Sequence, residues 1–279
     1  MNLKKDQMAL SNYPYYKHSF NYTLDSLQRL GAEAIELYCC YPHFHIDDAG
    51  LPQVTALKKN LQIRSMHPIC LTPEQGKYPI NIAAEDPIAR NRSIQTYIKC
   101  IQYASELECP TVQFHAGYNL LDCNYSKTWH RSVDSLNHLT DIAEGYGVTI
   151  IMEAAHKLAT ILNSSNHIVK MVNEINSPNL RGMIDTLCLA HCSEDIHTAL
   201  ENIGSDSVHH IHFSDCLTSH PQNHLIPGEG DMDLEEILQT LDKINYQGYI
   251  TIEIKTPYEY NPEEAMRKSA EWLRTRLAG

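Results

Sequence analysis

The sequence contains no apolar run that approaches the roughly 18 consecutive residues of a membrane-spanning helix. No glycine-rich phosphate loop follows its first apolar segment, which argues against a dinucleotide-binding fold. Nine cysteines are present, but none forms a CxxC pair, and their number is odd. This pattern favours reduced thiols over a disulfide framework.

Basic residues are also scarce. Lysine and arginine total 22 against 34 aspartate and glutamate residues, which gives a formal net charge of -12. Binding to nucleic acid or to an anionic membrane depends largely on positive charge, so neither partner is expected. The first residues include two lysines but no apolar region of the length of a secretory signal. Together with the reduced thiols, this predicts a cytoplasmic protein.

The sequence does contain a regular alternation of short apolar segments and amphipathic segments. Eight strand-like segments are each followed by a helix-like one, without a linker or low-complexity tract between them. The predicted strands cover residues 7–11, 34–40, 63–67, 111–115, 148–153, 180–185, 208–213 and 249–253. This order predicts an α/β fold of the (β/α)8 TIM barrel type, as one domain over residues 1–279. A doubly wound open sheet is the alternative, but it would require the missing glycine-rich loop.

Four of these strands finish on a carboxylate or an imidazole: Glu153, Asp185, His212 and Glu253. A carboxylate after several apolar residues is poorly placed for a core, because burying it unpaired is costly. Strands five to eight of a barrel are neighbours, and their carboxyl ends surround the mouth where active sites of this fold lie. The set therefore predicts a site for a divalent ion such as Mn, Co, Mg or Zn.

Other candidate residues depend on strand ends and strand parity. His210 has the same inward parity as His212 and competes with it as a ligand, although His212 lies nearer the end of the strand. His67 and His115 end the predicted third and fourth strands, so we expect both at the mouth, where each either contacts a substrate or forms hydrogen bonds within the loops. Cys188 follows Asp185 by three residues and either lines the same pocket or, as a lone thiol favours, is packed in the core.

These motifs resemble those of the sugar isomerases and epimerases built like xylose isomerase, a superfamily shared with the type IV AP endonucleases. The resemblance spans essentially the whole chain. Besides the strand-end residues, it rests on Asp185-Thr186, His210-x-His212-x-x-Asp215 and the Pro227-Gly228-Glu229-Gly230 turn. Within the superfamily the sequence is most similar to ketose 3-epimerases of the fructoselysine 3-epimerase branch. The matching segments there are residues 71–81, 114–118 and 224–230.

The resemblance implies that Glu153, Asp185, His212 and Glu253 hold one divalent ion, most often manganese. It further implies that Glu153 and Glu253 act as the acid/base pair that inverts C3 of a ketose or ketosamine through a metal-stabilised enediolate. One glutamate would remove the proton, and the other would return it on the opposite face. A small sugar as substrate and a homodimeric or homotetrameric assembly are also implied.

Two departures from the family pattern bear on the substrate. Cys188 stands where tagatose-type 3-epimerases usually have a histidine, and His224 where they have an arginine, and both positions contact substrate there. His224 agrees better with the fructoselysine branch. An aldose-ketose isomerase or an inosose-type dehydratase with the same metal site is the main alternative. An AP endonuclease-like phosphodiesterase is a remote alternative, because Cys188 and Gln222 stand where those enzymes have metal ligands. A non-catalytic sugar-binding protein is a further alternative.

Overall fold

Eight parallel strands close into a barrel in the order in which they occur in the sequence, with β1 paired to both β2 and β8. The structure, a computed structural model, describes residues 2–41, 43–74, 78–119, 124–155 and 160–278. The strands are β1 Met8–Ser11, β2 Ala34–Cys39, β3 His67–Pro73, β4 Thr111–Phe114, β5 Thr149–Met152, β6 Leu180–Asp185, β7 Val208–Phe213 and β8 Tyr249–Ile252. The predicted TIM barrel is therefore confirmed.

Helices follow the strands around the outside of the barrel. They are α1 Phe20–Arg29, α2 Leu51–Ile63, α3 Pro87–Glu106, α4 Tyr125–Tyr146, α5 Ser165–Ile175, α6 Thr186–Cys192, α7 Ile196–Ile203, α8 Leu234–Lys243 and α9 Pro262–Arg274. The short helix α6 was not predicted, and Asp185 caps it by accepting a hydrogen bond from the backbone N–H of Leu187. Across the described ranges, no helix is both long enough and apolar enough to cross a membrane.

The main apolar core lies between the strands and the surrounding helices. Helix α8 shows how the sequence produces it, because Leu234, Ile237, Leu238 and Leu241 lie on one helical face and are all buried. A second, smaller apolar cluster is formed by side chains that point into the barrel. Its buried members are Ala9, Ala34, Ile69, Cys70, Ile151 and Met183.

Above this small cluster, the side chains inside the barrel become polar. Inward-facing residues recur every second position along a strand, so the residue two positions after an apolar one occupies the next layer. Ala34 is followed by Glu36, Ile151 by Glu153, and Met183 by Asp185, and all three acids are buried. The apolar layer thus supports a layer of ionisable groups at the carboxyl ends of the strands.

The third strand differs from its prediction. Helix α2 continues to Ile63, and Ser65 adopts a left-handed conformation with φ 56° that ends the helical segment. The strand then begins at His67, which pairs with Ala34 at the start of β2. Two prolines within the strand concealed it, because proline usually argues against a strand. His67 is therefore exposed at the amino end of the barrel, opposite the mouth.

The connection from β7 to α8 is organised by one buried carboxylate. Asp215 accepts hydrogen bonds from the backbone N–H groups of Gly228 (2.8 Å), Gly230 (3.0 Å) and Met232 (3.2 Å), and also from that of Cys216 (2.8 Å). A Cβ atom on Gly230 would lie 2.3 Å from Asp215 Oδ1, so the close approach requires glycine. The aspartate and the turn of the sequence motif therefore form one structural unit.

We predict that Asp215→Asn lowers the free energy of unfolding by about 2–4 kcal/mol, because an amide NH2 would replace one acceptor oxygen opposite backbone donors. Urea denaturation followed by circular dichroism measures the change. The matched control is Asp134→Asn on the exposed face of α4, expected to stay within about 0.5 kcal/mol of the unmodified chain. Equal stability of the Asp215 variant would contradict the structural role.

Candidate metal and substrate site

Four adjacent strands bring the predicted ligand residues to the mouth of the barrel. Glu153 directly follows β5, Asp185 ends β6, His212 is the penultimate residue of β7, and Glu253 directly follows β8. Because parallel neighbours end at the same side of the barrel, the four side chains converge, and all four are buried.

Nδ1 of His212 lies close to both glutamates. It is 2.7 Å from Oε2 of Glu253 and 3.6 Å from Oε1 of Glu153. Ligand atoms of Glu153, Asp185 and His212 all lie within 4.8 Å of one another, as do those of Asp185, His224 and Glu253. Asp185 belongs to both groups, so the four predicted residues and His224 surround one small volume.

Two atoms in this volume have unsatisfied hydrogen-bonding capacity. His212 Nδ1 and Glu253 Oε2 are buried and, despite their 2.7 Å separation, have no hydrogen bond of acceptable geometry. Buried polar atoms are rarely left without a partner. A divalent cation could bind both atoms at once, and three carboxylates with one imidazole are suitable ligands for Mn, Co or Zn. The residues present therefore fit a metal ion.

The electrostatics of the site also favour added positive charge. Burial raises the pKa of Asp185 to about 8, and the nearby carboxylates of Glu253 and Glu153 act in the same direction although His224 opposes them. Burial also raises the pKa of Glu253, but His212 and His224 outweigh it and bring the value to about 2. A further cation would relieve the repulsion between the carboxylates.

Behind His212, the buried carboxylate of Glu36 on β2 fixes the imidazole. Its Oε1 lies 3.0 Å from Nε2 of His212 and accepts a hydrogen bond of 2.8 Å from the hydroxyl of Thr72. Burial raises the pKa of Glu36, but attraction to His212 and His210 outweighs it and holds the value well below the usual range. The ionised Glu36 accepts a hydrogen bond from Nε2–H of His212, so that Nδ1, once it has lost its own proton, is the nitrogen that can act as a metal ligand.

His210 lies deeper in the barrel than His212. Its Nε2 is 2.8 Å from Oε2 of Glu36 and 3.0 Å from Oγ1 of Thr251. Ligand atoms of His210, Glu36 and His212 lie within 4.8 Å of one another. Of the two histidines, only His212 also has a ligand atom within 4.8 Å of those of Glu153 and Asp185. Of the two candidate histidines, the geometry thus favours His212 as the ligand.

Two further predicted residues contact this group. The thiol of Cys188 lies 3.5 Å from Oδ2 of Asp185 and 3.8 Å from Oε1 of Glu153. Nε2 of His224 lies 3.8 Å from Oε1 of Glu253, and its Nδ1 is 3.1 Å from the hydroxyl of Ser214. Both side chains therefore line the volume between the acids.

The two histidines predicted from strands three and four have different positions. His115 directly follows β4, and burial lowers its pKa, although the charges of Glu74 and Glu253 oppose this shift. It therefore lies at the mouth. The prediction that His67 contacts substrate is wrong, because His67 begins its strand and is at the opposite end of the barrel. Part of the 71–81 loop, residues 75–77, lies outside the described residues.

Sequence reasoning missed Glu36, as well as Gln113, whose Nε2 donates a hydrogen bond of 3.1 Å to Oε2 of Glu153. The sequence of residues 34–40, which contains Glu36, predicts only a strand. A lone glutamate in an apolar strand, at the same parity as the residues facing the barrel interior, was the signal that could have identified Glu36. The amide of Gln113 had no comparable signal, because glutamine is common at many kinds of position.

Comparison with known proteins identifies the family of this chain. The sequence profile of the xylose isomerase-like TIM barrel family matches residues 24–276, so the chain belongs to that family. It is 28% identical over 259 residues to the fructoselysine 3-epimerase of Shigella flexneri, covering 89% of this chain and 90% of that protein. It is 24% identical over 255 residues to the D-psicose 3-epimerase of Ruminiclostridium cellulolyticum, covering 86% and 81% respectively.

Solved structures share the fold at low sequence identity. The D-psicose 3-epimerase of Clostridium cellulolyticum H10 with D-tagatose superimposes with a TM-score of 0.80 at 18% identity, covering 97% of this chain and 98% of that one. The IOLI protein with a bound zinc atom gives a TM-score of 0.80 at 19% identity, covering 98% and 99%. The relatives by sequence thus include sugar epimerases, and the structures that share the fold include one with a bound zinc atom.

We predict that Glu36→Gln weakens binding of a divalent ion about 10- to 100-fold, because the neutral amide no longer fixes the tautomer of His212. Isothermal titration of the metal-free protein with Mn²⁺ measures the affinity. Thr72→Val, which removes only the hydroxyl that bonds Glu36, is the matched control and should have a smaller effect. Unchanged affinity in the Glu36 variant would show that this carboxylate does not position the ligand.

Proposed function

We propose that the protein is a metal-dependent sugar epimerase that inverts C3 of a ketose or a ketosamine of the fructoselysine type. The observation that carries this proposal is that Glu153 and Glu253, from different strands, both approach His212 Nδ1 within one buried volume at the barrel mouth. Epimerisation requires one base on each face of a planar intermediate. Relatives named fructoselysine 3-epimerase and D-psicose 3-epimerase support the same reaction class.

The two acids come from strands that are separated by two others, β6 and β7, so their carboxylates approach the site from different sides. One takes the proton from C3, and the other returns a proton to the opposite face. Gln113 holds Oε2 of Glu153, which leaves Oε1 directed to the shared volume. The hydrogen bond fixes the carboxylate in the position from which it would act.

Glu153, Asp185, His212 and Glu253 would hold one divalent ion, with Mn the first candidate and Co, Mg or Zn as alternatives. Such an ion supplies stabilisation of the negative charge that develops on the ketose oxygens when the proton leaves. The chain itself shields the developing charge from bulk solvent, since the ligand residues are buried.

Three side chains at the mouth are proposed to bind the sugar: His115, Cys188 and His224. Cys188 and His224 lie next to the acids and could contact the reacting end of the substrate. The thiol is a weaker and shorter hydrogen-bonding group than a histidine would be. The shorter side chain leaves more room beside Asp185 and Glu153. Its weaker hydrogen bonding lowers the affinity for a free hexulose.

We predict that the metal-loaded protein exchanges deuterium from heavy water into C3 of a ketose or fructosamine. Glu153→Gln and Glu253→Gln should each lower the rate of epimerisation at least about 100-fold, because each removes the base on one face. Nuclear magnetic resonance of the product measures both exchange and its position.

Metal content and circular dichroism, measured on the same samples, separate loss of a base from loss of the metal ion or of the fold. Glu201→Gln on the exposed face of α7 is the control and should retain full activity. Near-normal rates in either active-site variant would remove that residue from the acid/base role. Exchange at C1 in place of C3 would indicate an aldose-ketose isomerase.

A further inference from the structure

Two side chains of opposite charge lie at the mouth, beyond the acids. Lys255 follows Glu253 by two residues, and its ammonium group donates a hydrogen bond to the hydroxyl of Tyr13 and lies 4.0 Å from the centroid of that ring. Glu74 directly follows β3, so it leaves the barrel at the same end. Both residues are only partly buried and can reach a ligand in the mouth.

Two stacked tyrosines connect this charged pair with the metal-binding group. The rings of Tyr13 and Tyr38 are 4.0 Å apart and nearly parallel, at 8°. The ring of Tyr38 lies 6.2 Å from that of His212. Burial raises the pKa of Tyr13 well above its usual value, and the charges of Glu74 and Glu253 add to this shift, so Tyr13 lies near both acids. The tyrosines thus form an aromatic wall from the reacting centre to the charged pair.

The hydroxyl of Tyr13 links the two charges, because it accepts a hydrogen bond from Lys255 and is also hydrogen-bonded to the carboxylate of Glu74. Among the residues that the structure describes, neither Lys255 nor Glu74 takes part in a salt bridge. Cys40 is near both. Burial and the charge of Glu74 raise the pKa of its thiol to about 12, while Lys255 acts in the opposite direction. A cation and an anion therefore share one tyrosine hydroxyl at the mouth, and the ammonium and carboxylate groups each keep further hydrogen-bonding capacity.

We propose that Lys255 and Glu74 form a second recognition site, for a substrate substituent that carries a carboxylate and an ammonium group. The inference rests on the proposed function and names the far end of its substrate. Lys255 would bind the carboxylate and Glu74 the ammonium group, while the tyrosine wall packs against the methylene groups that join them to the sugar. A ketose linked through an amine to an amino acid has this chemistry, and fructoselysine is one such compound.

The same charges disfavour two other substrate classes. A phosphate on the ketose would be attracted by Lys255 but repelled by Glu74, within a chain of net charge -12. A free hexulose would make no contact with either charge and so would gain nothing from them. The pair therefore selects against sugar phosphates and against unsubstituted sugars.

The test compares three substrates on the metal-loaded, full-length protein: fructoselysine, its Nα-acetyl derivative and N-butyl fructosamine. The acetyl derivative keeps only the carboxylate, and the butyl compound has neither group. We expect Lys255→Met to lower kcat/KM about tenfold or more for the first two substrates and to leave the third unchanged. Glu74→Gln should lower it for fructoselysine alone. Both losses should appear mainly in KM, because the charges are remote from C3.

Lys268→Met and Glu201→Gln, at exposed positions on α9 and α7, are the matched controls and should not change any of the three values. The wild-type protein provides a test that needs no variant, since it should prefer fructoselysine over the butyl compound. Equal turnover of all three substrates would overturn the second recognition site and leave the proposed function intact. Preference for a phosphorylated ketose would also overturn it. Absence of C3 turnover with every ketose would overturn the proposed function, and the recognition site with it.

Discussion

The site depends on one carboxylate, that of Glu36, which has no access to solvent and is shared between two histidines across the interior of the barrel. A buried charge is tolerated only when it is paired and hydrogen-bonded, and His210, His212 and Thr72 together meet that requirement. The same contacts fix the orientation of His212. Its Nδ1 is consequently directed to Glu153 and Glu253. The hydrogen bond to Glu36 inside the barrel thus fixes the position of this nitrogen at the mouth.

The barrel interior thus combines a stabilising layer and a reactive layer. Apolar side chains fill the lower part, and ionisable groups occupy the positions two residues further along three of the same strands. Three carboxylates and an imidazole in so small a volume are held together by the barrel at an electrostatic cost, which the raised pKa of Asp185 reflects. Such a cost is typical of sites that bind a cation.

Much of this arrangement could be predicted from the sequence. The alternation of strands and helices specified the barrel, and the strand ends at Asp185 and His212 specified which residues converge. His67 was placed at the wrong end because its strand contains two prolines, and local propensity rejects such a segment although a parallel barrel strand tolerates it. Glu36 could not be paired with His212 from the sequence, since β2 and β7 are not neighbours and their side chains meet only once the barrel closes.

We propose that Glu153, Asp185, His212 and Glu253 bind a single ion, with His212 as a ligand through Nδ1. A crystal structure of the protein soaked with Mn²⁺, with the ion located by its anomalous scattering, tests this most directly. The account predicts one ion among these four residues, with Nε2 of His212 still bonded to Glu36. An ion bound through Nε2, or located away from the mouth, would contradict it.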